Sequence, residues 1–346
     1  MIIRKRPTLR MIAEELGVTI TTVSCILSNK GGTYAESTRQ KVFEVANRLK
    51  YRPNALANGM RGGKTHSAGV MIRNRGHYLS SIVNAIHDTL LERDTVMFLA
   101  WNKWLRFEEG WSSDTERQVI HNLLDRRVDG FIIVPTSEEF DRFYFEEITE
   151  RHIPIVLVDR ELKSIEADYV GTDNLVGGAV AGRHLLELGH RRILYCGESA
   201  CSNSNERGQS FFQAFEGVAD VQKTTLDFLA NDFRDRLIEL FQNPANRPTG
   251  IFCMNDFVAR FILEVAAGLG FSAPRDFSII GFGDQHQTDP LLADLATFDQ
   301  KPSIIGQTAA ECYLAQVHTK SENYTQRSVK IEPEFLKKGS TGPVPS

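Results

Sequence analysis

Thr8-Leu9-Arg10-Met11-Ile12-Ala13-Glu14-Glu15-Leu16-Gly17-Val18-Thr19-Ile20-Thr21-Thr22-Val23-Ser24 is the stretch that decides the fold of the first sixty residues. Thr8 stands ahead of a short amphipathic segment that sets Ile12, Ala13 and Leu16 on one face and stops at Gly17. Thr19 then offers a hydroxyl to cap a second helix. In that helix Val23, Ile26 and Leu27 recur at i, i+3 and i+4 and face inward, leaving Ile20, Thr21, Thr22, Ser24 and Cys25 outside. Asn29-Lys30-Gly31-Gly32 ends it, and Val42, Val45, Ala46 and Leu49 carry a third helix with the same period. Two short helices across a tight glycine turn, closed by a third, follow the helix-turn-helix plan. In that plan the second helix enters the major groove of DNA.

Charge separates the same segment from the rest. The 346-residue chain has a net charge of −4. Residues 1–65 hold twelve Lys/Arg against four Asp/Glu, while the remainder holds 28 against 40. A basic head on an acidic body points to a polyanion-binding module joined to one with another task. The length suits two or three domains, and 42% hydrophobic with 24% charged residues is ordinary globular usage. No apolar run reaches the roughly 18 residues of a membrane span, and the opening Met1-Ile2-Ile3-Arg4-Lys5-Arg6-Pro7 has no signal-peptide pattern. The five scattered cysteines do not resemble a disulfide framework. The expectation is a cytoplasmic protein.

The quoted run resembles the opening of lac/galactose-repressor-type transcription factors. So do Thr38-Arg39 followed by Val42, then Leu49-Lys50-Tyr51-Arg52-Pro53-Asn54 and Ala57. The resemblance implies that Ile20 and Thr21 read bases, with Thr22 and Ser24 nearer the phosphates. It extends the expected DNA-contacting set to Thr8, Thr19, Cys25, Asn29, Tyr51, Asn54, Ala57 and Met60. The segment from Asn54 to Lys64 corresponds to a hinge that forms a helix on DNA, where Met60 would take the place of a leucine wedged into the minor groove. Asn58 and Gly59 replace the usual Arg-Ser pair there, and Gly59 disfavours helix by about 1 kcal/mol relative to Ala. Cys25 replaces an arginine that commonly reads guanine. A thiol lacks the donor fork this needs, so the operator should differ from the family's usual one.

Beyond Ser67 strand-like runs alternate with helix-like segments. The strand-like runs include Ala68–Ile72, Val96–Trp101, Phe131–Val134, Ile155–Val158, Ile193–Cys196, Leu226–Phe228, Gly250–Met254 and Phe277–Phe282. Helices are expected near Ile82–Leu91, Val119–Leu124, Phe143–Arg151, Val180–Leu188, Phe211–Phe215, Phe233–Phe241 and Val258–Leu269. Such alternation makes parallel sheets with helices on both faces, and any ligand crevice lies beyond the carboxyl ends of the strands. The expected fold is an N-terminal all-α helix-turn-helix domain (1–53), a hinge (54–66) and an α/β periplasmic-binding-protein-like domain (67–346). This last would have two doubly wound parallel-sheet lobes, about 67–160 plus 293–320 and about 161–292 plus 321–340.

Polar residues follow the strand ends: Asp159-Arg160, Asn255-Asp256, Gly283-Asp284, then Arg207 and Asp299-Gln300. The resemblance continues through Gly171-Thr172-Asp173-Asn174, Gly177, Leu188-Gly189-His190-Arg191-Arg192-Ile193, Asn255-Asp256, Gly281-Phe282 and Phe298-Asp299-Gln300. It implies effector contacts at Asp159, Arg207, Asn255 and Gln300, an aromatic at Phe228 and an apolar wall at Tyr78. Arg160 and Asp284 complete the expected set. Gly283 stands where the family commonly has Asp, so an effector that is anionic, or less hydroxyl-rich than a free hexose, is expected.

Competing classes fare worse. Gly268-Leu269-Gly270-Phe271-Ser272-Ala273 matches a dinucleotide fingerprint by letters but follows a helix and precedes a strand, the wrong order. Neither a Walker loop, zinc-spaced Cys/His nor a nucleophile elbow occurs, and His184 and His190 read as structural. A solute-binding protein would share the body's fold but needs export, and would not need the basic head. The reading is a ligand-responsive, sequence-specific transcription regulator, not an enzyme, with no cofactor, metal or membrane partner. It would be a homodimer on a pseudo-palindromic operator, since no apolar heptad follows Leu336 to make a tetramer.

Overall fold

In the computed structural model the chain divides into two units, Met1–Thr65 and His66–Ser346. The structure describes residues 7–28, 33–52, 64–73, 76–102, 113–135, 147–162, 165–199, 201–284, 289–319 and 323–345.

The first unit contains α1 (Leu9–Leu16), α2 (Ile20–Leu27) and α3 (Glu36–Arg48). The Thr8 side chain accepts from the Met11 N–H, and Gly17 closes α1 at a φ of 65°, a left-handed position that suits glycine. The Thr19 side chain accepts from the Thr22 N–H at 3.1 Å and starts α2 immediately afterwards. Ile12, Ala13, Val23, Ile26, Val42, Val45 and Ala46 form a buried cluster between the three helices. Asn29, and Asn54, Ala57, Asn58, Gly59 and Met60 of the expected hinge, lie outside the described residues.

The second unit carries two parallel sheets. The first runs β1 (Ser67–Arg73), α4 (Gly76–Leu91), β2 (Val96–Asn102), α5 (Ser113–Asp125), β3 (Gly130–Ile133), β4 (Ile155–Val158) and β5 (Asp168–Thr172). The chain then builds α6 (Asn174–Glu187), β6 (Arg192–Gly197), α7 (Ser202–Gln213), β7 (Gln222–Asp227), α8 (Phe233–Gln242), β8 (Gly250–Cys253), α9 (Asp256–Gly268) and β9 (Ser278–Ile280). It returns through β10 (Thr297–Asp299), α10 (Pro302–His318), β11 (Ser328–Ile331) and β12 (Glu334–Leu336). The strand orders are β11-β5-β4-β3-β1-β2 and β7-β6-β8-β9, and β10 pairs antiparallel with β12. Apolar side chains pack on both faces of the first sheet, and an aromatic-rich core surrounds the second.

The lobe boundaries differ from the sequence expectation. β5 and β11 both belong to the first sheet, so the first lobe runs on to Thr172 and regains residues 328–331. Leu295, Ala296 and Phe298 are buried in the core of the second lobe, so the first lobe resumes only with α10. The sequence hides this because Asp168 is fully buried yet polar. It accepts from the Arg327 N–H at 2.9 Å and from the Tyr324 hydroxyl. None of the described helices is long and apolar enough to cross a membrane.

Candidate functional site

On the first unit the outward face of α2 is the candidate reading surface. Ile20 is 44% exposed, an unusual setting for a large aliphatic residue, and Thr21 is exposed beside it. Thr22 Oγ1 lies 2.9 Å from Thr19 Oγ1, so these hydroxyls and that of Thr8 are tied to helix starts. Ser24 and Cys25 are half-buried on the same helix. Tyr34 hydrogen-bonds Cys25, which raises the phenol above its usual range. Tyr51 packs on the core of the unit, its N–H donating to Ala46 O at 2.8 Å. No charged side chain stands on the α2 sequence itself.

On the second unit a cleft of about 780 Å³, measured out to its mouth, lies between the lobes at the carboxyl ends of the strands. Tyr78, Asp159, Arg160, Arg207, Asn255 and Gln300, six of the eight expected residues, line it. Arg207 is the central group, with only 5% of its surface exposed. Its Nε donates to Asn174 Oδ1 at 2.8 Å, one terminal nitrogen to Met254 O at 2.6 Å and the other to Gln300 Oε1 at 3.2 Å. The guanidinium lies 3.7 Å from the centre of the Phe282 ring, a cation–π arrangement.

The helices beneath explain why Arg207 sits so deep. Gly178 and Gly182 on α6 face the Arg207 and Phe211 carbonyls of α7, where a Cβ would fall 2.2 and 2.5 Å away. Only glycine lets the two backbones approach so closely. From the first lobe, Asp159 ends β4 with a φ of 66°, and its carboxylate accepts from the Tyr78 hydroxyl at 2.9 Å. Burial and then the Asp159 charge push Tyr78 well above the usual phenol value, so it stays a donor. Across the cleft Asn203 Nδ2 donates to Asp159 O at 2.8 Å, and Thr172 Oγ1 donates to Gln300 Oε1 at 2.9 Å.

Two expected residues stand elsewhere. Phe228 packs edge-on against Phe233, Phe257 and Phe261, an aromatic cluster that holds it away from the cleft lining. Asp284 forms an ion pair with Lys338 at 3.2 Å and is likewise absent from the lining. Sequence reasoning missed Leu79, Val134, Glu198, Cys201, Asn203, Met254 and Phe282, which line the cleft, and Asn174, which holds Arg207. Asn203 and Met254 were within reach, since each lies within four residues of a singled-out polar group. Among the described residues no group of three or more His, Cys, Asp or Glu could hold a metal ion.

Comparison with known proteins gives these two units relatives. Residues 8–54 match the family described as bacterial regulatory proteins, lacI family, and residues 183–341 match a periplasmic binding protein-like domain. The HTH-type transcriptional repressor PurR of Escherichia coli O1:K1 / APEC is 27% identical over 346 residues, covering 98% of each chain. PurR of Shigella dysenteriae serotype 1 is likewise 27% identical, over 347 residues, with the same coverage. Among solved structures, the lac repressor dimer bound to operator and the anti-inducer ONPF superposes with a TM-score of 0.79. It shares 22% identity over 98% of this chain and 100% of that one, a likeness of fold. A LacI family regulator from Enterococcus faecium with bound ribose gives a TM-score of 0.66 at 25% identity, covering 80% of this chain and 99% of that one.

Proposed function

This chain belongs to the lacI family of bacterial regulatory proteins, and from that premise we propose that it is a sequence-specific transcriptional repressor acting as a homodimer on a pseudo-palindromic operator. It is not an enzyme, and it works in the cytoplasm, where the DNA is. A small metabolite in the interlobe cleft controls it: a sugar, a sugar derivative or a similar compound. The observation that carries this reading is the exposed Ile20–Thr21 face on a helix started by Thr19 and backed by a fully formed three-helix core. Two such faces would enter major grooves about 10 base pairs apart, or a multiple of that. The paired hinges would kink the centre, with Met60 as the wedge.

Control requires that the effector bind two lobe arrangements with different affinity. Support for this lies around Arg207. Its acceptors Asn174 and Gln300 sit on two of the three segments that carry the chain between lobes, after β5 and after β10. A ligand that draws on Arg207 therefore pulls on the crossings themselves.

The test is selection of bound DNA from a random library with the full chain at fixed salt, with and without a metabolite panel. The expected product is a two-fold symmetric motif, altered by Ile20→Ala or Thr21→Ala. The reading fails if no motif is enriched under either condition.

A further inference from the structure

We propose that the effector is an acidic, hydroxyl-bearing metabolite whose carboxylate or phosphate seats on Arg207, Gln300 and Asn255 in the cleft. This rests on the effector-cleft reading above and narrows it to one ligand class.

The argument is a census of donors and acceptors. Arg207 presents five N–H groups and has no acceptor. Three are engaged by neutral oxygens, and no carboxylate of the described residues forms an ion pair with it, so a buried positive charge is left without a countercharge. Gln300 Oε1 accepts from both Thr172 and Arg207, which fixes the amide and leaves Nε2 as the atom without a protein partner. Asn255 Oδ1 accepts from the Val258 N–H at 2.9 Å to start α9, which again leaves the amide nitrogen over. The protein's own network thus fixes the sense of both amides and leaves a guanidinium and two amide NH2 groups to donate.

A sugar hydroxyl could accept from these donors but would bring no charge to the guanidinium. A carboxylate or phosphate only accepts, and it supplies the missing charge. Gly283 adds no side chain here, and the neighbouring carboxylate of Asp284 is held by Lys338. The lining of the cleft also includes acceptors. Asp159 and Glu198 are half-exposed there, and Asn203, whose Nδ2 is engaged, keeps its Oδ1. These acceptors suit hydroxyl protons. The site combines a cationic seat with acceptors, and it fits a sugar acid or a sugar phosphate.

The experiment is calorimetric titration of the full chain, at matched ionic strength, with two pairs of probes: ribose against ribose 5-phosphate, and glucose against gluconate. The charged member of at least one pair should bind at least about tenfold more tightly than its neutral partner. Which pair responds distinguishes phosphate from carboxylate. Arg207→Gln should abolish the preference, and because that variant removes a buried network it is paired with Gln300→Glu. The latter keeps the oxygen that Thr172 and Arg207 use, but places a carboxylate against the guanidinium. It should unfold like the parent chain and lose the acidic probe by at least about tenfold. The proposal is overturned by a neutral sugar binding as well as its acidic partner. Absence of binding by all four probes up to roughly 10 mM overturns it too, as does acidic-probe binding that Gln300→Glu leaves untouched. A selected operator motif with any of these results would preserve the repressor reading while removing this one.

Discussion

Replacing Gly178 by Ala should destabilise the second unit and disturb the cleft together, because one helix contact serves both. The new Cβ would lie 2.2 Å from the Arg207 carbonyl oxygen and 2.2 Å from Ser210 Oγ. Ordinary contact needs about 3.5 Å, so α6 and α7 must separate by about 1 Å. Serine can rotate, but the carbonyl belongs to the backbone of the residue that anchors the ligand end. In isolation Gly→Ala would favour the helix by about 1 kcal/mol, and overpacking costs about 1–3 kcal/mol. With a backbone atom as the obstacle the cost sits in the upper part of that range, for a net loss of about 1–2 kcal/mol. In urea unfolding followed by circular dichroism the transition of the second unit should move to lower denaturant with little change in slope. Gly268→Ala is the control, since its Cβ meets nothing within 4 Å and it has no positive φ. It should be neutral or stabilising by up to about 1 kcal/mol. A Gly178→Ala protein as stable as the Gly268→Ala protein, with unchanged ligand affinity, would refute the close-packing account.

Two further outcomes follow from particular side chains. His190 is fully buried, its Nε2 lies 2.9 Å from Ser278 Oγ and 3.1 Å from Gly342 O, and burial lowers it to about 4. Its folded value lies below the unfolded value of about 6.5, so its contribution is complete above that pH and is lost as pH falls towards 4, on the order of 3 kcal/mol in all. His190→Gln should flatten that part of the stability–pH curve; equal slopes for parent and variant between pH 6.5 and 4 would contradict it. For the reading face, Cys25→Arg supplies the donor fork that the thiol lacks. Selection with the variant should enrich a guanine at one symmetry-related position in each half-site, worth about 1–3 kcal/mol, and an unaltered motif would place residue 25 away from base edges.

The sequence exposed those elements whose buried face is apolar and hid those whose buried face is polar. β4 matched its apolar run residue for residue, and the head followed from three helical stripes and two threonine caps. α7 is the opposite case: a helix was expected near Phe211–Phe215, yet it begins at Ser202. Its buried face is Asn203, Ser204, Arg207, Gly208 and Ser210, ahead of Phe211. A hydrophobic period cannot register such a face, because its satisfaction comes from Asn174, Gln300 and the glycines of α6. β7 likewise begins at Gln222 rather than Leu226, an edge strand in which Leu226 is the buried residue.

The same limit governs the cleft. Its residue types were largely legible from strand ends and from resemblance, but their hydrogen-bonding sense was not. In a sequence, Asn and Gln are donor and acceptor at once. Thr172 takes the oxygen of Gln300, Val258 takes that of Asn255, and Arg207 adds its claim on Gln300 from another lobe element. The two partners of Gln300 are not recognisable without the fold, since Thr172 lies 128 residues away and Arg207 lies 93 away. Once they are in place, two ambivalent amides become donors beside the Arg207 guanidinium. Ligand class is therefore decided by residues that need not touch the ligand. Replacing Thr172 by Val would release part of that constraint on the Gln300 amide, and should weaken the discrimination between acidic and neutral probes without altering any group at the ligand end.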